Sequence, residues 1–474
     1  MKRRDFVKLS VLVSTWVFTG CFMSNRDDGY EGGNSSPIDN ALPIPSLLQP
    51  TVKDGVNNYE LIIKESKHSF FDNIQTNTYA VNGTYLGPTI KVTNEDEVSL
   101  NFTNTLKEST TMHGHGMHLP ANMDGTPHQV IAPNQTWSAR YKVKQKACTN
   151  WYHPHFMGKT AEHVYKGLAG FIIIEDDESK AIDLPNRYGI DDIVLALQDR
   201  KFANNQINYN PSRMEIMRGY IGDTFITNGA IEPIFEAEAK EIRFRILNGS
   251  NSTVYNLGFS DNRSFYQIAT DNSLLVAPVS LNKLTLSPGE RAEIVVDLSS
   301  DLGSKIELRE YKYGKTFLNI DINKKATSIS TLPLSLASLD NLNPNDAVKT
   351  RKFVLGGGMM NDFTINGKSM NINRIDEIVP LGDIEIWEVI NSMNIDHNFH
   401  IHATHFMIIE RNGSSTSVLE NEKGYKDTVY LRGGESVKFV VQMSDYTDAN
   451  IPYMYHCHFL EHEDAGMMGQ FTVV

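Results

Sequence analysis

After about the first forty residues, polar and apolar positions alternate or gather into short apolar runs along the chain. Tyr59-Glu60-Leu61-Ile62-Ile63, Val98-Ser99-Leu100-Asn101-Phe102, Phe171-Ile172-Ile173-Ile174, Ile242-Arg243-Phe244-Arg245-Ile246-Leu247, Ala292-Glu293-Ile294-Val295-Val296 and Val437-Lys438-Phe439-Val440-Val441 are examples. All are rich in β-branched or aromatic residues, the composition of a pleated, half-buried strand. Turn dipeptides separate such runs: Asn82-Gly83, Asn228-Gly229, Pro288-Gly289 and Asn366-Gly367. Asn-Gly supplies the positive φ angles that tight hairpins require. Long 3.6-residue periodicity is scarce. The pattern predicts an all-β protein of sandwich or barrel domains.

A weak repeat divides the chain in three. Val81-Asn82-Gly83, Thr227-Asn228-Gly229 and Ile365-Asn366-Gly367 each open a unit, and each unit later carries an Asn-rich segment: Asn101 to Asn104, Asn248 to Asn251 and Asn391 to Asn394. The chain has 474 residues, which at about 150 residues per domain also suggests three. The acidic stretch Glu175–Lys180 and the polar, Pro-containing segment Lys324–Lys352 are the natural boundaries. The expected division is 1–36, 37–178, 179–335 and 336–474.

The first segment reads as an address. Lys2-Arg3-Arg4-Asp5-Phe6 precedes a moderately apolar run from Val7 to Gly20, the order of a twin-arginine export signal. Phe18-Thr19-Gly20-Cys21 and a polar tether follow, as at a lipoprotein cleavage site, so a lipid anchor on Cys21 is a second expectation. A periplasmic or envelope location follows from either. Lys and Arg total 44 against 57 Asp and Glu, a net charge of −13. That balance disfavours nucleic acid and suits cationic or neutral substrates. Three cysteines are too few for a disulfide scaffold. A monomer is expected.

The histidines change the picture. None of the 15 lies between His163 and His397. Ten fall in four clusters: His113-x-His115, His153-x-His155, His397-x-x-His400-x-His402 and His456-Cys457-His458-x-x-x-His462. On a strand, residues i and i+2 share a face, so each H-x-H pair can offer two imidazoles to one metal cluster, eight in all. Cys457, between two of them, must point the other way. With His397, His462 and Met467 it makes a His₂Cys set beside a soft thioether, the ligand set of an electron-transfer copper. Structural zinc prefers closed, thiolate-rich tetrahedra, which ten histidines and one cysteine do not build.

These motifs resemble those of the bacterial multicopper oxidases of the copper-tolerance (cuprous oxidase) and laccase types. Thr111-Met112-His113-Gly114-His115-Gly116, Trp151-Tyr152-His153-Pro154-His155, Gly167-Leu168-Ala169-Gly170, His397-Asn398-Phe399-His400-Ile401-His402 and Met454-Tyr455-His456-Cys457-His458-Phe459-Leu460-Glu461-His462 carry the likeness, which extends from about Leu42 onward. It implies three cupredoxin-like Greek-key β-sandwich domains, with a trinuclear copper cluster between the first and third. It implies four copper ions. Type 1 takes His397, Cys457, His462 and axial Met467, and type 2 takes His113 and His400. The type 3 pair takes His115, His153 and His458 on one ion and His155, His402 and His456 on the other. The implied reaction is one-electron oxidation of a reduced metal ion (Cu⁺ or Fe²⁺) or a phenol at type 1. Electrons then pass through Cys457 to four-electron reduction of O₂. Asp124 and Glu463 match acidic positions that hand protons to oxygen species.

Other residues receive plainer readings. His68, His118, His128, His163 and His405 are expected to be surface or hydrogen-bonded structural histidines, and Cys148 a small buried hydrophobe. Met112, Met117, Met123, Met157 and Met393 surround the ligand motifs and suit Cu(I), although core positions are expected for most. Asp396, beside His397, is a candidate attractor of cations. The alternatives are a non-catalytic scaffold on the same fold, as in a cell-division protein, and a copper-sequestering protein without turnover.

Overall fold

The computed structural model describes residues 41–328, 331–340, 342–357 and 363–474. The adjacent arginines, the apolar run and Cys21, on which the export and anchor readings rest, lie outside the described residues. All described residues belong to one compact unit, Ser35–Val474. No described helix is long and apolar enough to cross a membrane.

The runs read from the sequence lie within the strands Val56–Phe71, Glu97–Asn104, Gly170–Glu175, Glu241–Asn248, Arg291–Asp297 and Ser436–Gln442. Six larger sheets pair face to face into three β-sandwiches. Each sandwich repeats one arrangement. Val56–Phe71 runs parallel to Glu97–Asn104, Asp192–Arg200 to Glu241–Asn248, and Lys349–Gly357 to Ile384–Asn391. In each case an antiparallel strand follows: Thr136–Lys142, Arg291–Asp297 and Ser436–Gln442.

The asparagine repeat has a physical cause. Asn82, Asn228 and Asn366 all have positive φ, between 52° and 58°. Each side-chain oxygen accepts the backbone N–H of a neighbouring strand, from Ile62, Ala196 and Val354, at 2.7–2.8 Å. Each side-chain amide donates to a carbonyl two residues earlier, on Glu60, Val194 and Lys352. Asn104, Asn248 and Asn391 form a second repeat. Their oxygens accept from Leu106, Ser250 and Met393, and their amides bridge two loops each. A buried amide satisfies backbone groups that the strands leave unpaired as they turn.

Alternation decides which face is buried. Ile384–Asn391 turns Glu385, Trp387, Val389 and Asn391 inward. Trp387 packs among Phe353, Phe399, Phe439, Tyr455 and Phe471, 4.5 Å from the Phe353 centroid. Glu385 on that face is compensated by Arg351 at 2.6 and 2.8 Å and by the Trp387 indole at 2.9 Å, as a buried charge requires. Asp192–Arg200 and Cys148–His153 are buried on both faces. Their second faces meet across the first and middle sandwiches, where Trp151, Phe171 and Ile173 pack with Val194, Ala196 and Leu247.

Candidate metal centre

Short strands bring the histidines together. His113–His115 is an edge strand paired antiparallel to Cys148–His153, which sets His113 opposite His153. In the third sandwich His397–Ile401 pairs with Asp448–His456, setting His400 opposite His456. Of the four H-x-H pairs, only His113 and His115 both lie within a strand. His155, His402 and His458 fall just past strand ends. The alternation still holds at His402, whose N–H bonds the Met454 carbonyl.

The two sandwiches meet ring to ring. His115 stacks on His400 with centroids 3.8 Å apart and 11° between planes, and His113 stacks on His402 at 4.0 Å and 22°. His155 Nε2 and His402 Nε2 each lie 3.1 Å from His456 Nε2. His153 Nε2 lies 3.4 Å from His115 Nδ1 and 3.5 Å from His458 Nε2. All eight imidazoles are buried. Trp151 stacks on His153 at 4.0 Å.

Cys457 faces the other way. Its Sγ is 3.4 Å from His397 Nδ1 and 3.7 Å from His462 Nδ1, and those two nitrogens are 3.1 Å apart. Met467 is fully buried in the same apolar cluster, and its carbonyl accepts the Cys457 N–H. Met393 Sδ lies 3.2 Å from His397 Nε2. The Met217 carbonyl lies 3.3 Å from His462 Nε2.

These spacings fit metal binding. Nitrogens about 2.0 Å from one ion lie roughly 3.1–3.4 Å from each other, and a thiolate sits slightly farther. Three of the triplets of facing ligand atoms are His155, His402 and His456; His113, His400 and His402; and His397, Cys457 and His462. His113 Nε2 and His400 Nε2 are buried without a hydrogen-bond partner, a costly state that a cation relieves. Burial, followed by neighbouring imidazoles for most, holds His115, His153, His155, His402, His456, His458 and His462 well below the ordinary histidine range. Burial lowers His397 to about 3. Neutral rings are the ligating form. Burial pushes the Cys457 thiol up to about 12, so this thiolate needs a cation beside it. A His₂Cys set near a thioether, with an imidazole-rich cluster, is chemistry for copper.

Carboxylates orient the rings. Asp124 Oδ2 accepts from His402 Nδ1 at 2.8 Å, and its carbonyl accepts from His113 Nδ1 at 2.7 Å. The next residue, Gly125, has φ +74°, and a Cβ there would sit 1.9 Å from the Met112 carbonyl oxygen; this close approach delivers Asp124 to both rings. Glu463 lies on the short helix Leu460–Asp464, with its oxygens 3.5 Å from His155 Nδ1 and 3.3 Å from His456 Nδ1. Burial, then the neighbouring Asp464, raises Glu463 well above the carboxylate range.

Histidine spacing does not reveal Asp427 or Arg291. Asp427 Oδ1 accepts from His115 Nε2 at 2.9 Å, and its carbonyl accepts from His400 Nδ1 at 3.0 Å. Arg291, from the middle sandwich, holds both Asp427 oxygens. The Pro288-Gly289 turn just before Arg291 was the nearest sequence signal.

The remaining histidines have other partners. His163 bonds Thr110, His118 bonds Asp445, His128 bonds Gln470, His68 bonds Gly229, and His405 bonds Gly116. Cys148 is buried and free. Met112 and Met117 are core residues, whereas Met157 is exposed. The Asp396 carboxylate accepts from the Tyr430 hydroxyl at 2.6 Å and from the Gly433 N–H at 3.2 Å.

Family profiles described as multicopper oxidase match residues 62–179 and 343–474. "Multicopper oxidase mco" of Staphylococcus haemolyticus is 37% identical over 446 residues, 93% of this chain and 94% of that protein. "Cell division protein FtsP" of Xenorhabdus nematophila is 34% identical over 91% of this chain and 92% of its own length. Among solved structures, a bacterial laccase-like multi-copper oxidase CueO from Ochrobactrum sp., with oxidase activity towards lignin model compounds, superposes with a TM-score of 0.85. It is 34% identical and is matched over 91% of this chain and 100% of its own.

Proposed function

The chain belongs to the multicopper oxidases, and from that premise we propose that it couples oxidation of a reduced metal ion or a phenol to reduction of O₂. It is a copper-dependent oxidase; the donor, the ion count and each residue's role are the parts proposed. His397, Cys457, His462 and Met467 would hold type 1 copper. His113 and His400 would hold type 2. His115, His153 and His458 would hold one type 3 ion, and His155, His402 and His456 the other. Bound copper supplies one-electron steps at the thiolate site and four-electron reduction of O₂ to water at the cluster.

What carries this reading is the set of facing, buried ring nitrogens 3.1–3.5 Å apart. The chain's own groups do the rest. Cys457 joins the two sites covalently, because its chain neighbours His456 and His458 reach into the other one. Asp124 orients His113 and His402 by hydrogen bonds from their Nδ1 atoms, which leaves Nε2 of each free to ligate. Glu463, whose carboxyl burial raises, is placed beside His155 and His456 to hold and pass a proton. Burial of the centre excludes bulk water.

For the donor, a cuprous ion suits the thioether of Met393 at the His397 edge and the net negative charge. A phenol is supported by the laccase-like relative. A part in copper tolerance, export by the twin-arginine segment, a lipid anchor on Cys21, an envelope location, a monomeric state and the domain limits 37–178, 179–335 and 336–474 complete the reading. A cell-division role without turnover is the second reading, prompted by the FtsP relative; the presence of all ten histidines and Cys457 favours the oxidase.

Oxygen uptake by the copper-loaded protein, with Cu⁺, Fe²⁺ and a phenol in turn, tests the proposal. Cys457→Ser is expected to abolish donor-dependent uptake and the copper–thiolate absorption while melting near the parent. No uptake with any donor leaves only the scaffold or sequestering readings.

A further inference from the structure

The middle sandwich has no histidine, yet it reaches the cluster. We propose that Arg291 is a positioning residue for the cluster, acting through Asp427 to fix which ring nitrogens of His115 and His400 face the metal. This rests on the copper reading of the centre.

Arg291 is 1% exposed. Its Nη1 donates to Asp427 Oδ1 at 2.9 Å and its Nη2 to Asp427 Oδ2 at 2.7 Å, a bidentate fork. Its other donors tie the pair to the surrounding elements. Nε bonds the Thr149 carbonyl, Nη2 bonds Asn150 Oδ1, and both Nη atoms reach turn carbonyls at Gly289 and Asp271. Asn272 adds an amide hydrogen bond to Asp427 Oδ2 at 2.6 Å. The carboxylate therefore cannot rotate. Its Oδ1 is left facing His115 Nε2 and the Thr428 hydroxyl.

The consequence is a choice of nitrogen. His115 donates its Nε2 proton to Asp427, so Nδ1 carries the lone pair, and Nδ1 is the atom facing His153. His400 donates Nδ1 to the Asp427 carbonyl, so its unpartnered Nε2 carries the lone pair. One residue thus sets two different ligating atoms on two stacked rings. Arginine suits the task because its planar fork matches a carboxylate, whereas lysine offers a point charge.

Gly116 supplies an independent sign of how closely this junction is built. It directly follows His115, has φ +82°, and an added Cβ would lie 2.5 Å from Asn150 Oδ1, 2.6 Å from Arg291 Nη2 and 2.7 Å from Asp427 Oδ2. A methyl group there must part the guanidinium from the carboxylate or move His115.

The test uses the full-length copper-reconstituted protein, comparing wild type with Arg291→Met, Arg291→Lys, Asn272→Ala and Gly116→Ala. Copper per chain after chelator challenge, the type 1 and type 2 paramagnetic resonance signals and the copper–thiolate absorption are read on each. Arg291→Met is expected to keep the type 1 signal and absorption while losing type 2 signal, with cluster copper retained about 10- to 100-fold more weakly. Lysine should restore part of it. Asn272→Ala and Gly116→Ala should shift the same signals in the same direction, and they decide the matter if Arg291→Met does not fold. Wild-type type 2 signal and retention in all variants overturn the proposal. Equal loss of type 1 and type 2 signals with a lowered melting temperature also overturns it, because that is a folding role. A wild-type chain that takes up no copper sinks the copper reading, and this inference with it.

Discussion

Acidifying the metal-free protein from pH 7 to pH 5 should destabilise it. His397 shows the size of the effect. Its folded value is about 3, against about 6.5 in an unfolded chain. A folded-state value below the unfolded one means that the unfolded chain binds more protons, so stability is present above about pH 6.5 and is lost as the pH falls. Between pH 7 and pH 5 this histidine alone costs about 2 kcal/mol. His115, His153, His155, His400, His402, His456, His458 and His462 are lowered as well, with burial the first cause in each. Four buried carboxyls titrate the other way. Burial raises Asp464 to about 7, and Glu461, Glu463 and Glu290 are raised too; these oppose part of that loss. The lowered histidines outnumber the raised carboxyls, so the net stability falls with pH in the same direction as for His397 alone. Differential scanning calorimetry of the metal-free protein at pH 7, 6 and 5 measures it. A melting temperature unchanged across that range would refute the claim that these rings are buried and neutral.

Three further outcomes are expected. Glu463→Gln should keep its copper and donor KM but lower kcat by about 100-fold or more, the usual worth of a positioned acid; an unaltered kcat and pH–rate profile would remove its proton role. Asp396→Ala should raise KM for Cu⁺ more than for a neutral phenol, whereas equal changes would mean that the carboxylate serves only its bonds to Tyr430 and Gly433. Asn366→Ala breaks two backbone hydrogen bonds at a residue of φ 54°; chemical denaturation should show a loss of about 1–3 kcal/mol, and no loss would make the asparagine repeat ornamental.

Much was legible along the chain because it is periodic. Period-2 alternation reveals the strands, since successive side chains in a strand face opposite ways. Asn82, Asn228 and Asn366 mark equivalent turns, since a short amide tolerates positive φ and caps its neighbours. The lone Cys457 between His456 and His458 requires two sites on opposite sides. Local geometry sufficed for each of these. It did not suffice for the stacking of His115 on His400 and of His113 on His402, for the gathering of Asp124 and Glu463 beside the rings, or for Arg291 on Asp427. Most of those contacts join residues far apart in sequence and on different sandwiches, and no local period encodes them. Order along the chain was enough to set the donor atoms and the sheets that carry them. Only the packing of three sandwiches decided which rings face each other and which nitrogen each presents, because charge and hydrogen bonding in a dry interface depend on every wall that closes it.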